Sequence, residues 1–149
     1  MMNLIRATTE DLPRMEMGAR EFYASSRFLQ AFDMERFIRL WTDLLTRDIG
    51  AIFAFQIGDA INGAIGGVIY PDAYNGHLIA TEMFWFVQEG YRGEGLELYR
   101  AFELWARKKK CAEIRMVHLL DSMPGRLAVL YRRWGYEPAE IHYRKELQL

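Results

Sequence analysis

The chain has 149 residues, of which 51% are hydrophobic and 14% aromatic, and it carries a formal charge of −1 at pH 7. That size and apolar content predict a single domain over residues 1–149 with a substantial core, and they exclude an intrinsically disordered segment. The near-zero charge excludes a global attraction to nucleic acid or an anionic membrane, and the lone Cys111 excludes an intrachain disulfide and points to a reducing, cytoplasmic setting.

Met1–Pro13 holds charges where a secretory signal would hold an apolar run, and no stretch is apolar for long enough to span a membrane. Leu4–Arg6 reads as a short edge strand. Thr8 or Thr9 is placed to cap a first helix, with Asp11 in its first turn and Pro13 tolerated there. Leu12, Met15, Ala19, Phe22 and Tyr23 then recur on one face. A loop-like stretch, Ala24–Phe32, carries Arg27, Phe28 and Phe32. Asp33 caps a second helix whose broad apolar side is Phe37, Ile38, Trp41, Leu44 and Leu45.

Ala51–Ile57 and Ile61–Tyr70 are strands around Gly58-Asp59, a hairpin signal, and Pro71–Gly76 makes a second turn. A third strand runs from Leu78 to Val87, followed by a turn holding Gly90, Gly93 and Gly95 and by a helix over Leu96–Lys109 with Leu98, Phe102 and Trp105 as its buried stripe. The basic run Arg107-Lys108-Lys109-Lys110 offsets the helix macrodipole at its C-terminal end. Ile114–His118 reads as a strand, Pro124–Trp134 as a helix with Gly135 as its C-cap, and Ile141–Glu146 as a closing strand. The order β, α, α, β, β, β, α, β, α, β predicts an α+β fold. One right-handed parallel unit, built around the glycine turn, sits inside a mostly antiparallel meander.

The glycine turn is the segment with the most chemistry. Glycine lets backbone come close to a ligand, and a helix start offers unpaired N–H groups, so VQEGYRGEGL is suited to phosphate oxygens. A P-loop fails, because Gly95 is followed by Leu96-Glu97 instead of Lys-Ser/Thr. The dinucleotide fingerprint is inverted here and comes past the middle of the chain.

The third reading is Arg92-Gly93-Glu94-Gly95-Leu96-Glu97, which at Arg92 and Gly95, though not at its final position, resembles the R-x-x-G-x-G/A coenzyme A loop of the GNAT superfamily of N-acetyltransferases. The opening LIRATTEDLPRM is similar to the family's first strand and helix start, and LYRRWGY, residues 130–136, to its L-Y-x-x-x-G-F/Y signature. The wording of EMFWFV and LYRRWGYEPAEIHY most resembles small acetyltransferase-like proteins of bacteriophages. The resemblance implies a GNAT-like mixed sheet with a splayed parallel strand pair that admits acetyl-CoA, with helices on both faces. It implies N-acyl transfer to an amine of unknown identity, a small molecule or a protein amine, in a bacterial cell or phage-infected host. A homodimer, a host protein or a virion protein are the macromolecular partners expected. A fold-retaining binding protein without turnover is the alternative.

By the same resemblance, Arg92, Gly93, Gly95 and Leu96 present N–H groups to the pyrophosphate, and Phe86 and Val87 lie where the fourth strand bulges and offer backbone groups to pantetheine. Tyr131 matches the tyrosine that protonates the departing thiolate in many relatives, and is equally an aromatic at a helix–sheet contact. Glu82 is the one carboxylate on the strand before the glycine turn, among apolar residues, and is the candidate general base; the plain reading is a strand-end glutamate paired with an arginine. Two positions depart from the family pattern. Glu97 stands where a small residue is usual, with Arg100 one turn on to take its charge, and Pro124 replaces an asparagine. His118 and Asp121 lie near Pro124 as turn or strand-end residues. His77, His118 and His142 are far apart, so no metal is expected.

Overall fold

The computed structural model describes residues 2–25, 30–118 and 124–148; Arg27, Phe28, Asp121 and the side chain of Pro124 lie outside them. Five strands, β1 (Met2–Arg6), β2 (Gly50–Ile57), β3 (Ala60–Pro71), β4 (Leu78–Val87) and β5 (Glu113–Arg115), form one sheet in the order β1-β2-β3-β4-β5. The first four are antiparallel and β5 runs parallel to β4. The helices are α1 (Glu16–Ala24), α2 (Met34–Thr46), α3 (Gly95–Lys108) and α4 (Pro124–Arg133), with 3-10 turns over Thr9–Met15 and Glu89–Glu94.

The two-residue period of β4 divides the core. Phe84 and Phe86 enter a cluster with Leu12, Met15, Trp41 and Ile52 under α1 and α2. Trp85 and Val87 pack on the opposite cluster, built from Ala51, Phe55, Ile65, Leu98, Phe102 and Trp105 under α3. Gly18 lets α1 sit directly on Phe86, since a Cβ there would be 2.2 Å from Phe86 Cε2. On the α3 side, Trp85, Tyr99 and Trp134 form an aromatic stack, the Tyr99 and Trp134 rings lying 4.0 Å apart and nearly coplanar in orientation at 8°. Trp134 directly follows α4, so this stack ties α4 to α3 and β4.

Local chemistry sets the helix ends. The Asp33 carboxylate accepts the Arg36 N–H at 3.0 Å and starts α2. The Asp11 carboxylate accepts the Thr8 N–H at 2.8 Å and pairs with Arg14 at 2.7 Å, so the expected first helix begins as a 3-10 turn around Pro13 before α1. Gly135, at φ 86°, ends the α4 segment. At the end of α3, Lys109 pairs with Asp48 and Arg107 with Glu103.

Two expected strands differ. The segment expected as Ile114–His118 keeps strand pairing only through Arg115. Ile141–Glu146 is not a strand among the described residues, and β5 is therefore an edge of the sheet. The reason is the path of the chain. Pro138 lacks a ladder donor, Glu140 is drawn to Arg115 at 3.1 Å, and Glu146 accepts from Gln30, between α1 and α2, at 3.0 Å. The tail thus rounds the sheet edge instead of lying along it.

Candidate functional site

The site begins with a bulge. The β3–β4 register steps from Gly66↔Phe84 to Gly67↔Glu82, which leaves Met83 as an extra residue on β4. A bulge bends a strand and sharpens its twist. The resemblance placed this bulge at Phe86 and Val87, but those residues are in regular register with Ala64 and Gly63, and the irregularity lies at Met83. β5 follows β4 only from Ile79 to Thr81, and past that point no described strand pairs with the outer edge of β4. The outer edge of β4 over residues 83–87 is therefore left unpaired by the described strands, while the Phe86 side chain is core and Val87 is half-buried against Gly95.

Side chains take over where the ladder stops. Glu82 Oε2 accepts the Val117 N–H at 2.9 Å, and the Tyr131 hydroxyl donates to the Val117 carbonyl at 2.9 Å. Val117, two residues past the end of β5, is thus gripped at both backbone polar groups by the two candidate catalytic residues. Glu82 is 5% exposed. Burial pushes its pKa up to about 7, and the Val117 N–H pulls the other way. Among the described residues no arginine pairs with it, and its partner is the Val117 N–H. Burial above all, and then the nearby Glu82 charge, raise the Tyr131 phenol well beyond its ordinary range and keep it protonated. His118 follows, with its Nε2 buried and unpartnered among the described residues.

The glycine turn is wound into the 3-10 helix Glu89–Glu94 that leads into α3. None of Gly90, Gly93 and Gly95 has positive φ, so backbone handedness is not what demands glycine. A Cβ at Gly90 or Gly93 would meet nothing within 4 Å, and one at Gly95 would make only ordinary contact with Val87 and Trp85. The turn presents a face stripped of side chains. The Gly95 N–H is already spent on the Arg92 carbonyl, which corrects the expectation that it is one of the free donors. Trp85 supplies a donor that sequence reasoning missed. Its indole Nε1 is buried without a partner among the described residues and lies 3.7 Å from where a Gly95 Cβ would be. Arg92 stands on the same turn, and Leu96 is half-buried in the first turn of α3. Glu97 pairs with Arg100 at 2.6 Å, which offsets its charge at the start of α3. These features fit a phosphate-bearing co-substrate such as coenzyme A.

Among the described residues, no group of three His, Cys, Asp or Glu side chains could hold a metal, and no helix is long and apolar enough to cross a membrane. Cys111 is half-buried, and burial raises its thiol pKa against the smaller opposing pull of the Lys109 cation, which disfavours the thiolate a nucleophile needs. Val117 could not have been found from sequence, because its contribution is a backbone N–H and C=O that every residue type carries.

No family model matches the chain, and no curated protein matches it. Solved structures do. An aminoglycoside acetyltransferase from an uncultured soil metagenomic sample is 18% identical, with 99% of this chain and 97% of that one covered at a TM-score of 0.75. Glucosamine-6-phosphate N-acetyltransferase from Arabidopsis thaliana is 14% identical, with 99% of each chain covered at 0.74. A predicted acetyltransferase from Clostridium acetobutylicum, solved with acetyl-CoA, is 14% identical, with 98% of this chain and 96% of that one covered at 0.77. With the splayed β4–β5 pair and the glycine turn at the start of α3, these matches give the chain the fold of the GNAT acetyltransferases.

Proposed function

We propose that the protein is an acyl-CoA-dependent N-acyltransferase, most simply an acetyltransferase acting by direct transfer to an amine. The observation that carries this reading is that β4 holds a buried carboxylate, Glu82, whose pKa is raised to about 7, and leads at its end into a bare glycine turn. A fold alone does not choose a reaction, and this constellation is what adds chemistry to it. Acetyl-CoA, when bound, supplies the activated acyl group. Arg92, Gly93, Leu96 and the Trp85 N–H would hold its pyrophosphate, and the β4 edge at Phe86 and Val87 its pantetheine arm. Glu82, ionised, takes the proton that an attacking ammonium must lose. Tyr131 keeps Val117 in place and is the candidate proton donor; acting on a thiolate requires it to turn from the Val117 carbonyl. Amino sugars deserve the first place in an acceptor screen, since two of the similar structures act on that class.

Acetyl-CoA should raise the melting temperature, because a ligand that binds only the folded chain stabilises it by mass action. Gly93→Leu should abolish that shift while leaving the unliganded melting temperature within about 1 kcal/mol equivalent of wild type, since its side chain enters open space. Wild type that shows no shift at millimolar acetyl-CoA would leave a fold-retaining binding protein as the better reading.

Tyr131→Phe should lower turnover by roughly tenfold or more with little change in acetyl-CoA affinity, because the hydroxyl acts on Val117 and on the proton and not on the pyrophosphate. Steady-state kinetics beside calorimetry would check this. An equal loss in both quantities would assign Tyr131 to binding.

A further inference from the structure

His118 is half-buried, and its Nε2 is closed off from solvent with no hydrogen-bond partner among the described residues. Neither the contacts that Glu82 and Tyr131 make with Val117 nor the glycine turn engages it. A buried polar atom left unpaired is costly, and a ligand of matching chemistry recovers that cost.

The residues before it set the direction of the ring. Ile114 and Met116 pack on the α3-side cluster, where Trp85 and Val87 also lie. Val117 is 40% exposed and offers both its N–H and its C=O, to Glu82 and Tyr131, as a residue of an extended strand does to a neighbour. Two-residue alternation then carries His118 to the face of Met116. Glu82 is on that face too. It pairs with Gly67, whose added Cβ would lie 2.3 Å from Phe102 of α3, and the extra residue at Met83 brings Trp85 onto the same side. Glu82, Trp85 and His118 thus share one face of the sheet, where β4 loses its partner strand. The carbonyl that Tyr131 binds belongs to the peptide unit joining Val117 to His118, so His118 stands at the end where Glu82 and Tyr131 meet the chain.

On the acyl-CoA reading, we infer that His118 binds the pantetheine arm of the co-substrate through Nε2, at the end of the arm nearer Glu82 and Tyr131, with Trp85 at the phosphate end. The arm carries secondary amides, each with an N–H to give and a carbonyl to accept. Imidazole Nε2 donates or accepts according to tautomer, so it can meet either group. The unpaired edge of β4 over residues 83–87 offers the arm backbone groups that any sequence would have. His118 adds a contact that depends on residue type. It is a binding residue, and the proton transfers stay with Glu82 and Tyr131.

Calorimetry and thermal unfolding of the whole chain test this with acetyl-CoA and with 3′-phospho-ADP, which has the nucleotide and diphosphate without the arm. His118→Phe should weaken acetyl-CoA by about five- to tenfold, the worth of one hydrogen bond, and leave 3′-phospho-ADP unchanged. Without ligand the variant should melt no lower than wild type, since phenylalanine fills the ring's place and removes an unpaired polar atom. A second measurement needs no variant. In wild type with isotope-labelled histidine, the His118 ring-nitrogen signal should move on adding acetyl-CoA and stay put with 3′-phospho-ADP, the exposed His77 and His142 serving as references. Equal acetyl-CoA affinity in variant and wild type, or a ring signal that ignores acetyl-CoA, would overturn the contact and leave the acyl-CoA reading standing. A variant that loses both ligands alike, or melts lower without them, would make His118 a structural residue, which also overturns it. Wild type that binds neither ligand would overturn the acyl-CoA reading and the contact together.

Discussion

Glu82→Gln is expected to cut turnover by about a hundredfold and, above pH 7, to make the protein more resistant to heat than wild type. The first effect follows from removing the base. The second follows from where the carboxylate sits. Its pKa is about 7 in the folded chain against an ordinary value of 4.5, so between those two pH values the folded state holds a proton that the unfolded state has released. Stability from this group is complete below pH 4.5, falls as pH rises towards 7, and stays low above it. The difference corresponds to roughly 3 kcal/mol. Glutamine keeps an acceptor for the Val117 N–H and never ionises. Its own amide donors need partners, and that cost lowers the variant's curve equally at every pH. The informative quantity is therefore the difference in melting temperature between variant and wild type, which should grow in favour of glutamine from pH 5 to pH 8. A difference that does not change with pH would mean that Glu82 is not a buried, titrating carboxylate. In the wild type, the rate of acyl transfer should rise with pH through about 7 and then level, and the variant should lack that limb.

The largest loss of stability is expected at Gly67, opposite the bulge. A Cβ there would lie 2.3 Å from Phe102 Cε2 and 2.7 Å from the Thr81 carbonyl. Phe102 is fully buried between the sheet and α3 and cannot withdraw, and the Thr81 oxygen belongs to the backbone of the neighbouring strand. Gly67→Ala must therefore either displace α3 or break the β3–β4 pairing next to Glu82, and should cost about 3 kcal/mol or more. In a chain of this length that lowers the melting temperature by roughly 6–12 °C. Gly93→Ala is the matched control, since its added methyl meets nothing. Urea or thermal unfolding followed by circular dichroism would separate the two, and a Gly67→Ala loss under about 1 kcal/mol would show that β3 has room to shift.

The sequence carried the elements whose side chains do the structural work. Asp33 marked the start of α2, Leu98, Phe102 and Trp105 marked the buried stripe of α3, and Arg100 one turn after Glu97 foretold where that carboxylate would go. What stayed hidden depends on backbone. The extra residue at Met83 shifts the expected bulge by several positions, and nothing about methionine announces it. The grip on Val117 uses groups common to all residues, so Glu82 and Tyr131 were nameable as candidates while their shared target was not. Alternation in Ile141–Glu146 says that one face wants burial. It does not say that a partner strand is within reach, and among the described residues the segment pairs with none.

The stack of Trp85, Tyr99 and Trp134 also makes the chain report on itself optically. Two indoles and a phenol from β4, α3 and the end of α4 sit within 6.4 Å of one another, two of them face to face at 4.0 Å. Chromophores that close couple their transitions, so the near-ultraviolet circular dichroism carries a band whose sign and size depend on how α4 leans on α3. Because α4 also brings Tyr131 to Val117, a change in that band on adding acetyl-CoA follows how α4 sits against α3 and β4, with no label and no substrate turnover.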